Sequence, residues 1–291
     1  MASSPRPGAP GGKLAPGLYL VATPIGNLED ITRRAERVLA TADVLVCEDR
    51  RRTARLLAHL GLRRPLMLYH EHNAEAVRPE LLARLGTGAS VALVSDAGTP
   101  AVSDPGFKLV RAAREQGIPV VPVPGPSAVL AALVASGLPT DRFLFLGFLP
   151  SAAGGRRRAL REIADVVASL VLFESPRRLA DLLADAAAIL GARPAVVARE
   201  LTKLHEEHRR GTLPELAAHY AAAGAPKGEI VVVVAPPARP AAAPAEEEVD
   251  ALLRAALARD KPRQAAARTA AMVGGSANAL YRRALALVRA R

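Results

Sequence analysis

The chain has 291 residues, half of them hydrophobic, and a formal net charge of +11. No apolar run approaches the ~20 residues that a membrane-spanning helix needs, and the single cysteine, Cys47, excludes an internal disulfide and a multi-cysteine metal site. We therefore expect a cytoplasmic protein without membrane association, and the positive charge favours an anionic partner such as nucleic acid, unless it only reflects biased codon usage.

Residues 1–14 predict a disordered tail, because they are small and polar and lack the apolar centre of a signal peptide. Short β-rich runs then alternate with segments of helical spacing, and these runs are "LYLVA" (18–22), "VLVCE" (44–48), "VALVSD" (91–96), "IPVVPVPG" (118–125), "FLFLGFL" (143–149), "LVLFES" (170–175), "PAVVARE" (194–200) and "EIVVVVAP" (229–236). Strands that are apolar on both faces and alternate with helices are typical of parallel sheets covered on both sides. We therefore predict two α/β domains with mostly parallel sheets, residues 15–125 and 126–236.

The remainder of the chain predicts a separate small unit. Residues 237–245 are rich in Pro and Ala and predict a stiff linker. Residues 246–291 have the spacing of about three short helices, interrupted at "DKPR" and "VGGS", with more basic than acidic side chains. We expect a small basic helical domain.

Four loops that follow predicted strands are rich in Gly, Pro, Ser and Thr: "ATPIGNLEDIT" (22–32), "SDAGTPAVSDPG" (95–106), "PVPGPSA" (122–128) and "FESPRRL" (173–179). Ligands of open α/β sheets lie beyond the carboxyl ends of strands, and small residues let the backbone approach a ligand closely. These loops therefore predict a small-molecule site. The sequence contains neither a phosphate-binding G-x-x-x-x-G-K-[ST] motif nor a G-x-G-x-x-G motif, and the spacing of its six His does not predict a metal site.

Together these segments resemble the ribosomal RNA methyltransferases of the tetrapyrrole-methylase-like superfamily, which use S-adenosylmethionine. The motifs that carry the resemblance occur in the family's order and are "LYLVATPIGNLEDIT", "CEDRRRTARLL", "SDAGTPAVSDPG", "PVPGPSAVLAAL", "GFLP", "FESPRRL", "RELTKLHEEHRRGTL" and "KGEIVVVV". The resemblance covers residues 18–236 and extends more loosely into the helical tail. One departure is Arg50, which stands where the family usually has Thr after "ED".

The resemblance implies two α/β domains with S-adenosylmethionine in the cleft between them, usually in a homodimer. It also implies that the reaction is 2′-O-methylation of a cytidine ribose in the decoding region of 16S ribosomal RNA, with the RNA or the small ribosomal subunit as substrate. The implied cofactor-binding residues are Pro24, Gly26, Asp96, Gly98, Thr99, Ser127, Ala128 and Leu172.

The chemistry asks for a group that activates a poorly nucleophilic ribose hydroxyl or stabilises the developing alkoxide. Lys203 is our first candidate and Glu48 the second, while the further candidates are Asp49, Glu174, Glu206 and Glu207. Each of them could instead form a surface ion pair or cap a helix. Cys47, at the end of an apolar strand, is read as a buried small hydrophobe.

Basic clusters provide candidate contacts to RNA phosphates, because the planar guanidinium group of Arg binds phosphate through two hydrogen bonds. The candidates are Arg50, Arg51, Arg52, Arg156, Arg157 and Arg158. The helical tail either clamps RNA or supports a dimer. Two alternatives stay open at this point: a methylase of tetrapyrroles, and an RNA-binding protein without catalysis that keeps the fold.

Overall fold

The computed structural model describes residues 12–102, 106–238, 246–273 and 276–289. The chain divides into two compact units, Met1–Pro237 and Ala238–Arg291. Most of the predicted tail, most of the linker and the Gly pair of "VGGS" lie outside the described residues, so those predictions are not addressed by the structure.

The first unit contains two five-stranded sheets. Their strands are β1 (Gly17–Val21), β2 (Val44–Cys47), β3 (Leu66–Leu68), β4 (Ser90–Val94), β5 (Val120–Val123), β6 (Phe143–Phe148), β7 (Ser169–Glu174), β8 (Pro194–Arg199), β9 (Glu207–Thr212) and β10 (Ile230–Val234). All eight predicted strands are present with ends shifted by at most two residues. The three-residue strand β3 and the polar strand β9 were not predicted.

Eleven α-helices lie within the described residues. They are α1 (Arg33–Thr41), α2 (Arg50–His59), α3 (Ala74–Gly86), α4 (Gly106–Glu115), α5 (Ala128–Ser136), α6 (Ala153–Glu162), α7 (Leu179–Leu190), α8 (Leu213–Ala223), α9 (Glu246–Leu257), α10 (Pro262–Val273) and α11 (Ala277–Arg289). Several begin at a side chain that accepts a hydrogen bond from the first turn. Thr32 caps α1 in this way, Asp49 caps α2 and Ser127 caps α5.

The first sheet has the strand order β3-β2-β4-β1-β5 and is parallel throughout. Val21 at the end of β1 pairs with Val94 of β4 and Val123 of β5, and Cys47 of β2 also pairs with Val94. The carboxyl ends of four strands are therefore level, and the loops that leave them meet at one edge of the sheet.

The second sheet has the order β6-β7-β10-β8-β9, and only its β6–β7 pair is parallel. The α/β fold class is confirmed, and parallel pairing predominates over the two sheets together, but the expectation of a mostly parallel second sheet is wrong. Helices cover this sheet on both faces, so its central strands are apolar all round. An all-apolar strand sequence indicates that both faces of the sheet are covered. It does not indicate whether the strand runs parallel or antiparallel to its neighbours.

The two halves of the first unit share a hydrophobic cluster. Ile25, from the loop after β1, packs with Val129 and Leu133 of α5 and with Val231 of β10. The boundary predicted between residues 125 and 126 falls in the loop between β5 and α5 and stays a prediction, because one compact unit contains both sheets.

The second unit is a three-helix unit, as its sequence predicted. Its core consists of Leu253, Ala266, Leu280 and Ala284, and Arg283 of α11 forms ion pairs with acidic residues of α9. Across the part of the chain that the structure describes, no helix has the length and apolar character required to cross a membrane.

Candidate functional site

All four Gly/Pro-rich loops contribute to one cavity of about 390 Å³. Ile25 comes from the loop after β1, Ala97 from the loop after β4, Ala128 from the start of α5, and Phe173 from the end of β7. Most of the lining is apolar and includes the ring of Phe148. The volume lies within the range of about 300–1,000 Å³ that is usual for small-ligand sites.

Hydrogen bonds connect these loops to one another. The backbone of Thr23 pairs with that of Gly98, with N–O distances of 2.9 and 3.0 Å. The Thr23 hydroxyl donates to the carbonyl of Ser95 at 2.9 Å, and the Thr99 hydroxyl donates to the carbonyl of Pro126 at 3.3 Å. Gly98 has a φ of +81°, which disfavours other residues. The cavity wall is therefore a connected structure.

A second, polar cavity of about 560 Å³ adjoins the first. Three arginines of α2 line it (Arg51, Arg52 and Arg55), and so do Lys203 and Glu229. The two cavities share Glu229, Ile25 and Ala97 in their linings. A ligand in the apolar cavity and one in the polar cavity would therefore lie next to each other.

Lys203 lies between the carboxylates of two acidic residues. Its Nζ donates hydrogen bonds of 2.8 Å to Oε1 of Glu200 and 2.8 Å to Oε2 of Glu229. Burial alone would lower the pKa of Lys203, but the hydrogen bonds to Glu200 and Glu229 outweigh it and raise the pKa above its ordinary value. The side chain is therefore a fixed cation at neutral pH and cannot take a proton from a substrate.

The turn that carries Lys203 contacts the loop after β1 closely. The backbone N–H of Asn27 donates to Oγ1 of Thr202 at 3.1 Å. A Cβ placed on Gly26 would lie only 2.4 Å from Cγ of Lys203. Glu200 and Thr202 have φ values of +53° and +66°, a strained conformation for residues with side chains that is concentrated at functional sites.

Of the residues that the resemblance implied for cofactor binding, Ala128 lines the apolar cavity, and Pro24, Gly26 and Asp96 line the polar one. Ser127 caps α5. Leu172 lines neither cavity, although the resemblance implied that it binds the cofactor. Its side chain is buried in the core on the opposite face of the sheet, because side chains alternate along a strand. Its neighbour Phe173 lines the apolar cavity instead.

Asp96 connects two loops of the first sheet. Its Oδ1 accepts a hydrogen bond from the backbone N–H of Asp49 at 3.0 Å, and its Oδ2 lies 3.8 Å from Nε of Arg52. Asp49 in turn binds Arg51, whose side-chain and backbone hydrogen bonds hold the pKa of Asp49 below its usual range. Asp49 lines the polar cavity, and Glu48 is exposed outside that lining.

The predicted RNA-binding arginines divide into two groups. Arg51 and Arg52 line the polar cavity, and Arg50 beside them is exposed. On α6, Arg156 is not available for the predicted contact with RNA phosphates, because that residue is only 4% exposed. Its side chain forms an ion pair of 2.7 Å with Asp185.

Asp185 also pairs with Arg157 at 2.7 Å, so that this second arginine of α6 is already bound to a carboxylate. Arg158 is exposed. The run of three arginines in the sequence gave no sign of Asp185, which follows almost thirty residues later and lies on α7.

Several lining residues were not predicted. They are Thr53, Arg55, Leu56, Phe148, Leu201, Gly228, Glu229, Ile230 and Val231. Four of them are consecutive at the start of β10, in the motif "KGEIVVVV". Since β10 is antiparallel to β7 and β8, Ile230 pairs with Glu174 and Arg199 at the ends of those strands. This motif could be recognised in the sequence. The direction of β10 had to be known before the motif could be assigned to the site.

The fold, with its two cavities at the strand ends, defines a class of protein. Residues 17–217 match the family described as Tetrapyrrole (Corrin/Porphyrin) Methylases. The structure is similar to that of uroporphyrin-III C-methyltransferase from Thermus thermophilus complexed with S-adenyl homocysteine, with a TM-score of 0.52, 25% sequence identity, and coverage of 75% of this chain and 96% of that one.

Residues 243–288 match the family described as RsmI C-terminal HTH domain. The chain is 56% identical to ribosomal RNA small subunit methyltransferase I of Mesorhizobium japonicum, over 96% of this chain and 94% of the relative. It is 47% identical to the protein of the same name from Escherichia coli O157:H7, over 92% and 94% of the two chains. The chain belongs to the tetrapyrrole methylases and, within them, to the family of these ribosomal RNA methyltransferases.

Proposed function

We propose that this protein transfers a methyl group from S-adenosylmethionine to the 2′-hydroxyl of a cytidine ribose in the decoding region of 16S ribosomal RNA. Its family and the names of its relatives support methyl transfer to small-subunit RNA. The observation that carries the proposal is the adjoining pair of cavities, one apolar and one lined with arginine. A ribosomal substrate would also place the protein in the cytoplasm.

The residues of the apolar cavity fit S-adenosylmethionine. The rings of Phe148 and Phe173 suit a flat adenine, and the carboxyl group of Glu229 suits the positive charge of a sulfonium. When bound, the cofactor supplies an electrophilic methyl group. The four connected loops would hold it, with the acceptor in the polar cavity.

The polar cavity suits RNA. Arg51, Arg52 and Arg55 can bind phosphate groups through planar guanidinium contacts. Lys203 can stabilise negative charge that develops on the acceptor oxygen, because its raised pKa keeps it protonated. Holding the hydroxyl in line with the methyl group would supply most of the rate enhancement.

The burial of the only cysteine favours methyl transfer to the ribose over methyl transfer to a ring carbon. Methylation of a cytosine carbon uses a nucleophilic thiolate. The Cys47 side chain is fully buried, and burial raises the pKa of its thiol. The sequence also lacks the Asp/Asn-Pro-Pro-aromatic motif common in enzymes that methylate exocyclic amines.

The test is nucleoside mass spectrometry of small ribosomal subunits and of free 16S RNA after incubation with the protein and labelled S-adenosylmethionine. We expect one methylated cytidine whose label stays with the sugar fragment. Lys203→Met should lower the yield strongly, and Lys108→Met, a change on α4 outside both cavity linings, should leave it unchanged. A label on the base fragment would contradict the proposal, and so would methylation of a tetrapyrrole in place of RNA.

We further propose that the protein is a homodimer and that α5 contributes to the interface. Leu130 and Val134 lie one turn apart on this helix and are 51% and 71% exposed, an unusual position for aliphatic side chains on neighbouring turns. Light scattering should report twice the monomer mass for the wild type and a monomer for Val134→Asp. A wild-type monomer at micromolar concentration would contradict this assignment.

A further inference from the structure

The turn between β8 and β9, residues 200–206, carries Lys203 on strained backbone. Glu200 and Thr202, on either side of Leu201, have φ values of +53° and +66°. Left-handed backbone is unfavourable for residues other than Gly and persists only where surrounding contacts impose it. The contacts that impose it here therefore decide where the Lys203 side chain lies.

Glu206 makes several of the contacts that hold this turn. Its Oε2 accepts a hydrogen bond of 2.7 Å from the backbone N–H of Thr202, and its own backbone N–H donates to the carbonyl of Lys203 at 3.1 Å. Its Oε1 lies 2.9 Å from Nε2 of His208 on β9. One carboxylate oxygen is therefore engaged by the strained residue before Lys203 and the other by the adjoining strand.

Thr202 connects this contact to the loop after β1. Its Oγ1 accepts a hydrogen bond from the backbone N–H of Asn27, so the residue is held from two sides. Lys203 follows directly and lines the polar cavity. If Thr202 lost the contact with Glu206, its backbone could relax toward an ordinary φ, and the Lys203 side chain would shift with it.

Glu206 itself lies outside the linings of the apolar and polar cavities. Hydrogen bonds from His208 and from the backbone of Thr202 lower the pKa of its carboxyl group below the ordinary value. A carboxylate with a lowered pKa is a poor proton acceptor at neutral pH. Any effect of Glu206 on turnover should therefore act through Lys203.

We infer that Glu206 is a positioning residue for methyl transfer, which fixes the turn that directs the Lys203 ammonium group into the polar cavity. This inference rests on the proposed role of Lys203 in stabilising negative charge on the acceptor oxygen. Such stabilisation is effective when the donor is held in place before the reaction, because no reorganisation is then needed. Loss of Glu206 should therefore lower kcat and leave the KM for RNA nearly unchanged.

The test is steady-state methylation of small ribosomal subunits, and in parallel of free 16S RNA, at saturating S-adenosylmethionine. We expect Glu206→Ala to lower kcat about 10–100-fold and to change the KM for RNA by less than about 3-fold. Glu206→Gln should recover most of kcat, because its amide oxygen can accept the N–H of Thr202 but cannot act as a base. Should Glu206→Ala fail to fold, Glu206→Ser, which stays polar at this exposed position, replaces it with the same expectations.

Glu215→Ala is the matched control. Oε2 of Glu215 accepts a hydrogen bond of 2.7 Å from the backbone N–H of Thr212, the same kind of contact, outside both cavity linings. Loss of this helix cap should lower stability in urea denaturation and leave kcat unchanged.

A double-mutant cycle separates positioning from general stability. In the Lys203→Met background, Glu206→Ala should change kcat by less than about 3-fold, because the group that Glu206 positions is gone. Hydrogen exchange provides a readout that does not depend on activity. The amide hydrogen of Thr202 should exchange faster in Glu206→Ala than in the wild type, and Glu206→Gln should restore slow exchange.

Wild-type kcat in Glu206→Ala would overturn the inference, as would an equal loss of kcat in both Lys203 backgrounds. A loss in Glu206→Gln as large as in Glu206→Ala, with slow exchange at Thr202 restored, would assign the carboxylate a direct catalytic role and also overturn it. Unchanged exchange at Thr202 in Glu206→Ala would overturn the contact on which the inference depends. Failure of the wild type to methylate RNA, with the expected exchange result at Thr202, would instead refute the proposed function.

Discussion

Replacing Gly26 with Ala tests the contact between the loop after β1 and the turn that carries Lys203. Gly26 is not among the glycines with positive φ, so the substitution introduces no backbone strain and acts through space alone. The added Cβ would lie 2.4 Å from Cγ of Lys203, 2.8 Å from Oγ1 of Thr202 and 3.0 Å from the carbonyl oxygen of Leu201. Lys203 can move aside only by leaving its acidic partners, and the Leu201 carbonyl belongs to the backbone.

The expected loss of stability follows from these contacts. Overpacking costs about 1–3 kcal/mol, and loss of the hydrogen bond from Asn27 to Thr202 adds about 0.5–1.5 kcal/mol. The ion pair between Lys203 and Glu229 adds little, because the Glu229 side chain is 64% exposed. We therefore expect Gly26→Ala to lower the free energy of unfolding by about 2–4 kcal/mol.

Urea denaturation measures this change, and Gly86→Ala is its matched control. Gly86 ends α3, and a Cβ there meets nothing within 4 Å, so this variant should be unchanged or up to about 1 kcal/mol more stable. Displacement of Lys203 should also slow methyl transfer in Gly26→Ala, by about 100-fold if the shift reaches 1 Å. A Gly26→Ala protein with wild-type stability and turnover would refute this description of the contact.

Four further predictions concern Asp185, the protonation of Lys203 and the helical tail. Asp185→Ala should cost about 3–5 kcal/mol in urea denaturation, because Arg156 is left buried without a partner, whereas Arg158→Ala on the same helix should change stability by less than about 0.5 kcal/mol. Burial alone would raise the pKa of Asp185, but its two arginine partners lower it below the ordinary value. The contribution of Asp185 to stability should therefore be complete above about pH 4, the unfolded-state pKa, and should be lost as pH falls through the lowered pKa. Urea denaturation at a series of pH values measures this loss. The pH profile of turnover should show no loss from deprotonation of Lys203 between about pH 6 and 9, because its raised pKa lies above the ordinary value of about 10.4, and an inflection there that disappears in Lys203→Met would contradict this. Deleting residues 246–291 should weaken RNA binding and reduce its salt dependence by about 0.7 in log–log slope for each lost single-strand phosphate contact, with cofactor affinity unchanged in calorimetry.

Much of the fold could be predicted because buried strands are conspicuous in this sequence. β4 and β10 consist of residues that are all buried, and both were predicted. β9 reads "EHRRGT" and lies at the edge of its sheet, paired only with β8. An edge strand with a polar sequence gives neither an apolar run nor a clean alternation, so it could not be recognised from composition.

The four loops of the candidate site were also predictable, since small residues at the ends of apolar runs mark them. What the sequence could not provide was the location of partners far along the chain. Arg156 looked like a surface residue because Asp185 is distant in sequence. Leu172 and Phe173 are adjacent in sequence, and only the pleat of β7 decides which of them faces the cavity.

The hydrogen bonds between the loops after β1, β4 and β5 have a consequence for how a ligand is captured. Thr23, Gly98, Thr99 and Pro126 hold these loops in place through contacts within the protein. A ligand that binds in a cavity with loops already fixed in this way loses translational and rotational freedom, but the protein loops need not become ordered. The entropic penalty of association is therefore smaller. Amide hydrogens at Thr23 and Gly98 should therefore exchange slowly before any cofactor is added, and cofactor should slow them only slightly further.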